Sequence, residues 1–230
     1  MQAANPVRIS SGRDCGRAAP SLSIDVFFDF ICPWCLIGGR HLNAAMTRFA
    51  EMRADVHVGV KWHSCQLLPD MPPGGVDYES FYLARLGSAE NVSARRRQVI
   101  DAGTGAGIDF RFDRIGVMPN TAAAHELIAH AAAQGGAALQ ASLIDSLFTA
   151  YFIEGEDIGD LRVLERRAVE CGLERGGVRE HLSALNGRRA RHAPSGVSGV
   201  PLFVFDESIA VSGAASPDAL LDAMLRSIRD

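Results

Sequence analysis

The chain has 230 residues, 47% of them hydrophobic and 22% charged, with a formal net charge of −4. That allows one large domain or two small ones, is too apolar for a disordered chain, and argues against a generally basic nucleic-acid binder. Residues 30–39 read as the longest uncharged apolar run, about ten residues with a proline inside, against the roughly 18 a spanning helix needs, so no membrane partner is expected.

Residues 1–20 carry Arg8, Arg13 and Arg17 but no apolar segment of the length a secretory signal requires. They read as a flexible tail, and a cytoplasmic setting is the default. Residues 21–31, rich in β-branched and aromatic side chains, predict a buried strand at 23–29. Cys32-Pro33 follows, and proline suits the first helical turn, where its missing N–H is not needed. Leu36, Ile37, Leu42, Ala45, Met46 and Phe49 then recur at helical spacing and predict a helix over 33–52. Alternation over 56–67 predicts a second strand, ended by the prolines and glycines of 69–75. Residues 77–186 change to an Ala-, Leu-, Glu- and Arg-rich composition that predicts five or so helices, with breaks at Gly103–Gly107, Gly116–Pro119, Gly135-Gly136, Gly155–Gly159 and Gly172–Gly177. A Gly-rich loop leads to Val200-Pro201, then 202–206 and 209–213 predict a hairpin. Ser216 is placed to cap a last helix with Pro217 in its first turn. The order makes an α/β fold: one βαβ unit and one ββα unit joined into a mixed four-stranded sheet. The sheet domain would be 21–75 with 190–230, and 76–189 an all-helical insertion.

Five cysteines stand at 15, 32, 35, 65 and 171, an odd number at uneven spacing, which does not suit a disulfide-stapled scaffold. Cys32-Pro33-Trp34-Cys35 is the one sharp motif. It sits at a helix N-terminus, where free backbone N–H groups and the helix dipole favour a thiolate. Two intervening residues let Cys35 reach back to Cys32 within one turn. Cys32 is then the exposed nucleophile and Cys35 the shielded resolving thiol. The same spacing is half of a zinc site, but a structural zinc wants a second pair, so no metal is expected. Two inert structural thiols are the other reading. Val200-Pro201 is either a trans proline opening a strand or a cis bond packed against the cysteines.

The element order, with Cys-x-x-Cys at the first helix and Gly199-Val200-Pro201 before the third strand, resembles the thioredoxin fold with a helical insertion, that is, the DsbA-like family. Asp29-Phe30-Ile31-Cys32-Pro33-Trp34-Cys35, Asn120-Thr121-Ala122-Ala123-Ala124-His125, residues 150–158, residues 196–201 and Val211-Ser212-Gly213-Ala214 are similar to its FrnE-type cytoplasmic branch. The resemblance implies a cis Pro201, with Val200, Pro33, Trp34 and Asn120 touching substrate. It implies a thiol–disulfide oxidoreductase that exchanges a Cys32–Cys35 disulfide with protein or small-molecule thiols through a mixed disulfide. No cofactor is expected, with glutathione as a candidate co-substrate and a homodimer as a candidate assembly. The alternative is a glutathione-dependent transferase or isomerase of the kappa or 2-hydroxychromene-2-carboxylate isomerase type, which needs no resolving thiol.

Several lesser readings complete the set. Period two places Asp25 and Asp29 on one strand face. Asp29 reads as a solvated strand-end carboxylate, with a proton relay to Cys35 as the sharper alternative. Lys61 reads as solvated, and His63 and Cys65 as core residues. Asn120 is expected to cap the helix that follows, and His125 to be a satisfied core histidine. Arg95-Arg96-Arg97 reads as a solvated helix face, and Arg188-Arg189-Arg191 as a basic cluster that could attract an anion such as glutathione.

Overall fold

The computed structural model describes residues 20–185 and 197–228. The expected tail, Cys15, the basic cluster at 188–191 and Pro194-Ser195 lie outside these residues.

The first strand, β1 (Ser21–Phe28), buries Leu22, Ile24, Val26 and Phe28, the period-two face of its sequence. Helix α1 (Pro33–Met52) starts on its proline and buries Leu36, Ile37, Leu42, Ala45 and Phe49. Strand β2 (His57–Ser64) runs parallel to β1, as a right-handed crossover through α1 allows. After the helical segment, β5 (Leu202–Phe205) pairs antiparallel with β1, and β6 (Ile209–Ser212) antiparallel with β5. The sheet order is β2-β1-β5-β6, the expected mixed four-stranded sheet. Asp206 and Glu207 turn the hairpin at φ 48° and 56°. Helix α7 (Pro217–Ser227) is capped by Ser216, whose hydroxyl accepts from Ala219 N at 3.3 Å.

One face of the sheet packs on α1 and α7, with Ile24, Phe49, Phe203, Phe205 and Met224 fully buried between them. Contact is close because α1 carries Gly38 where a Cβ would lie 3.0 Å from the Phe203 ring and 3.2 Å from that of Pro201. The glycine therefore sets how near the first turns of α1 come to the loop before β5.

Between the two halves lie α2 (Tyr78–Leu86), α3 (Ala89–Gly105), α4 (Ala122–Thr149), α5 (Leu161–Glu170) and α6 (Arg175–Ala184). A two-residue ribbon of β3 (Val76–Asp77) and β4 (Val117–Met118), not foreseen from sequence, packs against α2. Such short strands leave no periodicity to read. The expected break at Gly135-Gly136 is a kink inside α4, where Gly136 takes φ 72°. Phe28, Phe30, Leu36 and Ile37 join Leu127, Leu147, Phe148 and Phe152 in a single apolar cluster, so the helices share a core with one end of the sheet.

The reading of 30–39 as the longest uncharged run is corrected by α4. The stretch 127–144, between Glu126 and Asp145, has no Asp, Glu, Lys or Arg. Ala122–Glu154 is long and apolar enough by composition to cross a bilayer, and 44% of its most apolar window is buried within the protein. Small alanines and the kinking glycines disguised the run as ordinary helix. Its large residues fill the shared core.

Phe203 lies on α1 at the Gly38 contact and is fully buried. Phe203→Ala is expected to lower stability by about 3–5 kcal/mol, read as a shift in urea midpoint at constant slope.

Candidate active site

Cys32 is the N-cap of α1, extended at φ −92° and ψ 106°, with no side chain capping the helix. The turn leading into it is closed by Cys32 N donating to Asp29 O at 3.1 Å, and Cys35 N donates to Cys32 O at 3.0 Å. The Cys32 thiol thus sits at the positive end of the helix dipole. It also lies 3.7 Å from Val200 O, toward which it donates. The Val200-Pro201 peptide is cis. Pro201 O accepts from Gly213 N at 2.8 Å, which pins this loop to the end of β6.

The two motif cysteines differ in surroundings. The expectation of an exposed Cys32 is corrected: it is 6% exposed against 3% for Cys35, and what separates the two is that Cys32 lines a cleft of about 510 Å³ whereas Cys35 is absent from its wall. Burial is the main cause that pushes the Cys35 thiol well above its usual range; its hydrogen bond with Cys32 and the Cys32 charge add to it. Cys65 is pushed up as well, by burial first and then by the charges of Asp29 and Cys32. It packs in the core, as expected. Cys171 caps α5 and is half-buried. Among the described residues no group of three or more His, Cys, Asp or Glu side chains is placed to hold a metal.

The reading of Asp29 as solvated is corrected: its exposure is 0%. β1 ends at Phe28, so the period-two face that would hold Asp29 beside Asp25 stops one residue short. Asp25 instead lies 2.6 Å from His63 Nε2, and Lys61 stays exposed. Asp29 Oδ2 accepts from Leu67 N at 2.7 Å, and Oδ1 lies 3.1 Å from His125 Nε2. His125 is buried as expected, wedged against the rings of Phe28 and Phe30. Its Nδ1 has no hydrogen-bond partner, so it is not the fully satisfied core histidine that was expected.

Asn120 is corrected in one respect. The N-cap position is Thr121; Asn120 stands one residue earlier, and its Oδ1 accepts from Ala122 N at 2.9 Å. Its Nδ2 donates to Met71 O at 2.5 Å, and Gln66 Nε2 donates to Thr121 Oγ1 at 3.2 Å. With the Asp29 bond to Leu67, these contacts fix the loop after β2, which supplies Leu67 and Leu68 to the cleft wall. Asn120 itself is not on that wall. Pro33 and Trp34 are.

The far wall was missed by sequence reasoning. Tyr78, Phe81 and Tyr82 of α2 and Arg95 and Arg96 of α3 line it. The reading of Arg95-Arg96-Arg97 as a solvated face holds for Arg95 and Arg97, which are exposed, and is corrected for the half-buried Arg96; Arg95 borders the cleft from its exposed position. Arg95 lies over the Trp34 ring at 5.6 Å and Arg96 over that of Tyr78 at 5.2 Å. A signal was present: Val92, Arg95, Arg96 and Val99 follow i, i+3, i+4, i+7, the inward stripe of α3.

The fold and a Cys-x-x-Cys pair at the first helix define a thioredoxin-type protein with a helical insertion. Residues 23–225 match the model of the DSBA-like thioredoxin domain, and the chain belongs to that family. It is similar to a chain described as a probable DsbA oxidoreductase from Streptomyces coelicolor, at 25% identity over 90% of this chain and 89% of that one, with TM-score 0.77. It shares its fold with the cytosolic disulfide reductase DsbM from Pseudomonas aeruginosa, solved with GSH, at 19% identity over 89% and 99%, TM-score 0.58. A 2-hydroxychromene-2-carboxylate isomerase has the same fold at 16% identity over 89% and 95%, TM-score 0.57.

Because Cys35 and Cys65 are off the cleft and held protonated, brief neutral-pH treatment with iodoacetamide is expected to label Cys32 ahead of both, read by peptide mass mapping.

Proposed function

We propose that this protein is a thiol–disulfide oxidoreductase using Cys32 as nucleophile and Cys35 as resolving thiol. The observation that carries the reading is the contrast within the motif: both thiols are buried, but Cys32 lies on the cleft wall at a helix N-terminus, while Cys35 lies one turn in, off that wall, with its pKa pushed up. A Cys32 thiolate attacks one sulfur of a disulfide, and the other sulfur leaves as a thiolate that takes up a proton. The Cys35 thiol then loses its proton and attacks Cys32 Sγ, which releases the second substrate thiol and leaves a Cys32–Cys35 disulfide. Two electrons pass from the protein dithiol to the substrate, and the reverse sequence oxidises a substrate dithiol. Asp29 is proposed as the acceptor of the Cys35 proton: it is buried three residues before Cys32, and its charge acts on the Cys35 thiol. Val200, Pro33 and Trp34 border Cys32 and are proposed to hold the substrate segment. A cytosolic setting and glutathione as co-substrate belong to the same proposal. The isomerase or transferase reading has no use for a buried second thiol hydrogen-bonded to the first.

Cys35→Ser is expected to stop at the mixed disulfide, visible as a stable adduct on Cys32 by intact mass, and Cys32→Ser to abolish exchange. A Cys35→Ser protein that turns over disulfides at the native rate would sink the two-thiol reading.

In the mixed disulfide Cys32 no longer carries a thiol or a charge, but burial, the largest cause of the raised Cys35 pKa, remains, so the attacking Cys35 thiolate is scarce at neutral pH. Rising pH therefore increases it roughly tenfold per unit until the pKa is reached. Decay of the mixed disulfide, followed by quenched mass spectrometry, is expected to accelerate from neutral into alkaline pH. Asp29→Asn is expected to slow it at least about tenfold at neutral pH and to lessen that handicap as hydroxide takes over.

A further inference from the structure

The chain carries 27 acidic and 23 basic residues, yet no acidic side chain lines the cleft beside Cys32, and Arg85, Arg95 and Arg96 do. Arg96 is engaged by Glu79 at 2.7 Å. Arg95 is not neutralised: among the described residues it meets the Gln98 amide oxygen at 2.6 Å and the Trp34 ring, both uncharged. Arg85 has no carboxylate partner among the described residues. The rest of the wall is apolar or phenolic, with Tyr78 and Tyr82 held in their neutral forms chiefly by burial. Cations on a low-dielectric wall focus the field into the groove.

We infer that the α2–α3 wall selects disulfides that carry a carboxylate close to the reacting sulfur, with Arg85 and Arg95 as the docking cations. This rests on the oxidoreductase reading above and adds the substrate class. Arg95 lies over the Trp34 ring, and both residues line the same cleft as Cys32 and Arg85, so a disulfide seated there with one sulfur on Cys32 has its flanking groups on the wall that carries these cations. The cleft, about 510 Å³, is of the size that takes small molecules, whose sites run from about 300 to 1,000 Å³. The chemistry is shared by a small acidic peptide such as glutathione disulfide and by an Asp- or Glu-flanked cysteine in a longer peptide. In either case Cys32–S–S–R forms as one R–S⁻ leaves, and Cys35 displaces the second, so one disulfide is reduced as the protein dithiol is oxidised.

The test is the rate at which fully reduced protein is oxidised, by acid quench and mass, with glutathione disulfide, its carboxyl-esterified form, an Asp-flanked cysteinyl peptide dimer, hydroxyethyl disulfide and cationic cystamine. Each rate is divided by the rate of that disulfide with a free model thiol. The expected result is an advantage of about fivefold or more for one or both anionic disulfides over the neutral and cationic ones, shrinking in high salt. The size of the advantage with the peptide dimer relative to glutathione disulfide tells the two sources apart. R85Q/R95Q is expected to lose that ratio, and R85K/R95K to keep most of it. Both positions are exposed, so the variants keep the fold. Equal corrected rates for all five disulfides, or a ratio unchanged in R85Q/R95Q, overturns the selectivity while leaving dithiol exchange standing. Failure to form Cys32–Cys35 with any of them overturns both.

Discussion

The buried carboxylate of Asp29 is the point through which the three parts of the molecule are joined. It leaves the end of β1 just before the motif, receives the Leu67 amide of the loop after β2, and meets His125 of α4. A carboxylate taken wholly out of water is tolerated only when its lone pairs are engaged. That demand fixes the loop, and the loop is one wall of the cleft. The same demand fixes the first helical turns of α4 against Phe28 and Phe30. Cys32, whose backbone N–H bonds to Asp29 O, is positioned by the same residue.

Much of the scaffold was legible before any coordinates. The starts of α1 and α7 were visible because proline and a capping serine act locally, within one turn. β1 and β5 were visible as short runs of β-branched and aromatic residues, and β2 by its alternation. Period two failed at Asp29, where the strand had already ended, so a buried acid was read as a wet one. The place of Arg95 and Arg96 on the cleft was missed for a different reason. A helical stripe shows which residues share a face; it does not show which neighbour that face meets, and here the neighbour is a ring 61 residues earlier in the chain, Trp34. Asn120 was recognised as important, but its partner Met71 lies in a proline-rich loop with no periodicity to predict its path.

The division of labour between scaffold and insertion follows from these placements. The β1–α1 junction provides a thiol at a helix terminus and a second thiol shielded beneath it, the part the exchange chemistry requires. The cis peptide at Pro201 and the close approach at Gly38 bring the loop before β5 beside that thiol. What sits opposite the nucleophile comes from α2 and α3. On the proposed function, chemistry and recognition are thus carried by segments far apart in sequence, joined where Arg95 lies over the Trp34 ring.

An inserted helical segment is often pictured as an ornament added to a finished fold. The apolar cluster that runs from Phe28 and Phe30 into α4 and the turn at 150–154 makes it otherwise here. Trp62 of β2 and Ile37 of α1 share that cluster, and Leu127, Phe148 and Phe152 complete it from the helical side. Excising the helices would leave phenylalanines facing water at the end of β1, just before Cys32, so sheet and helices are one packed unit and the helical segment is a structural requirement of the strand it covers.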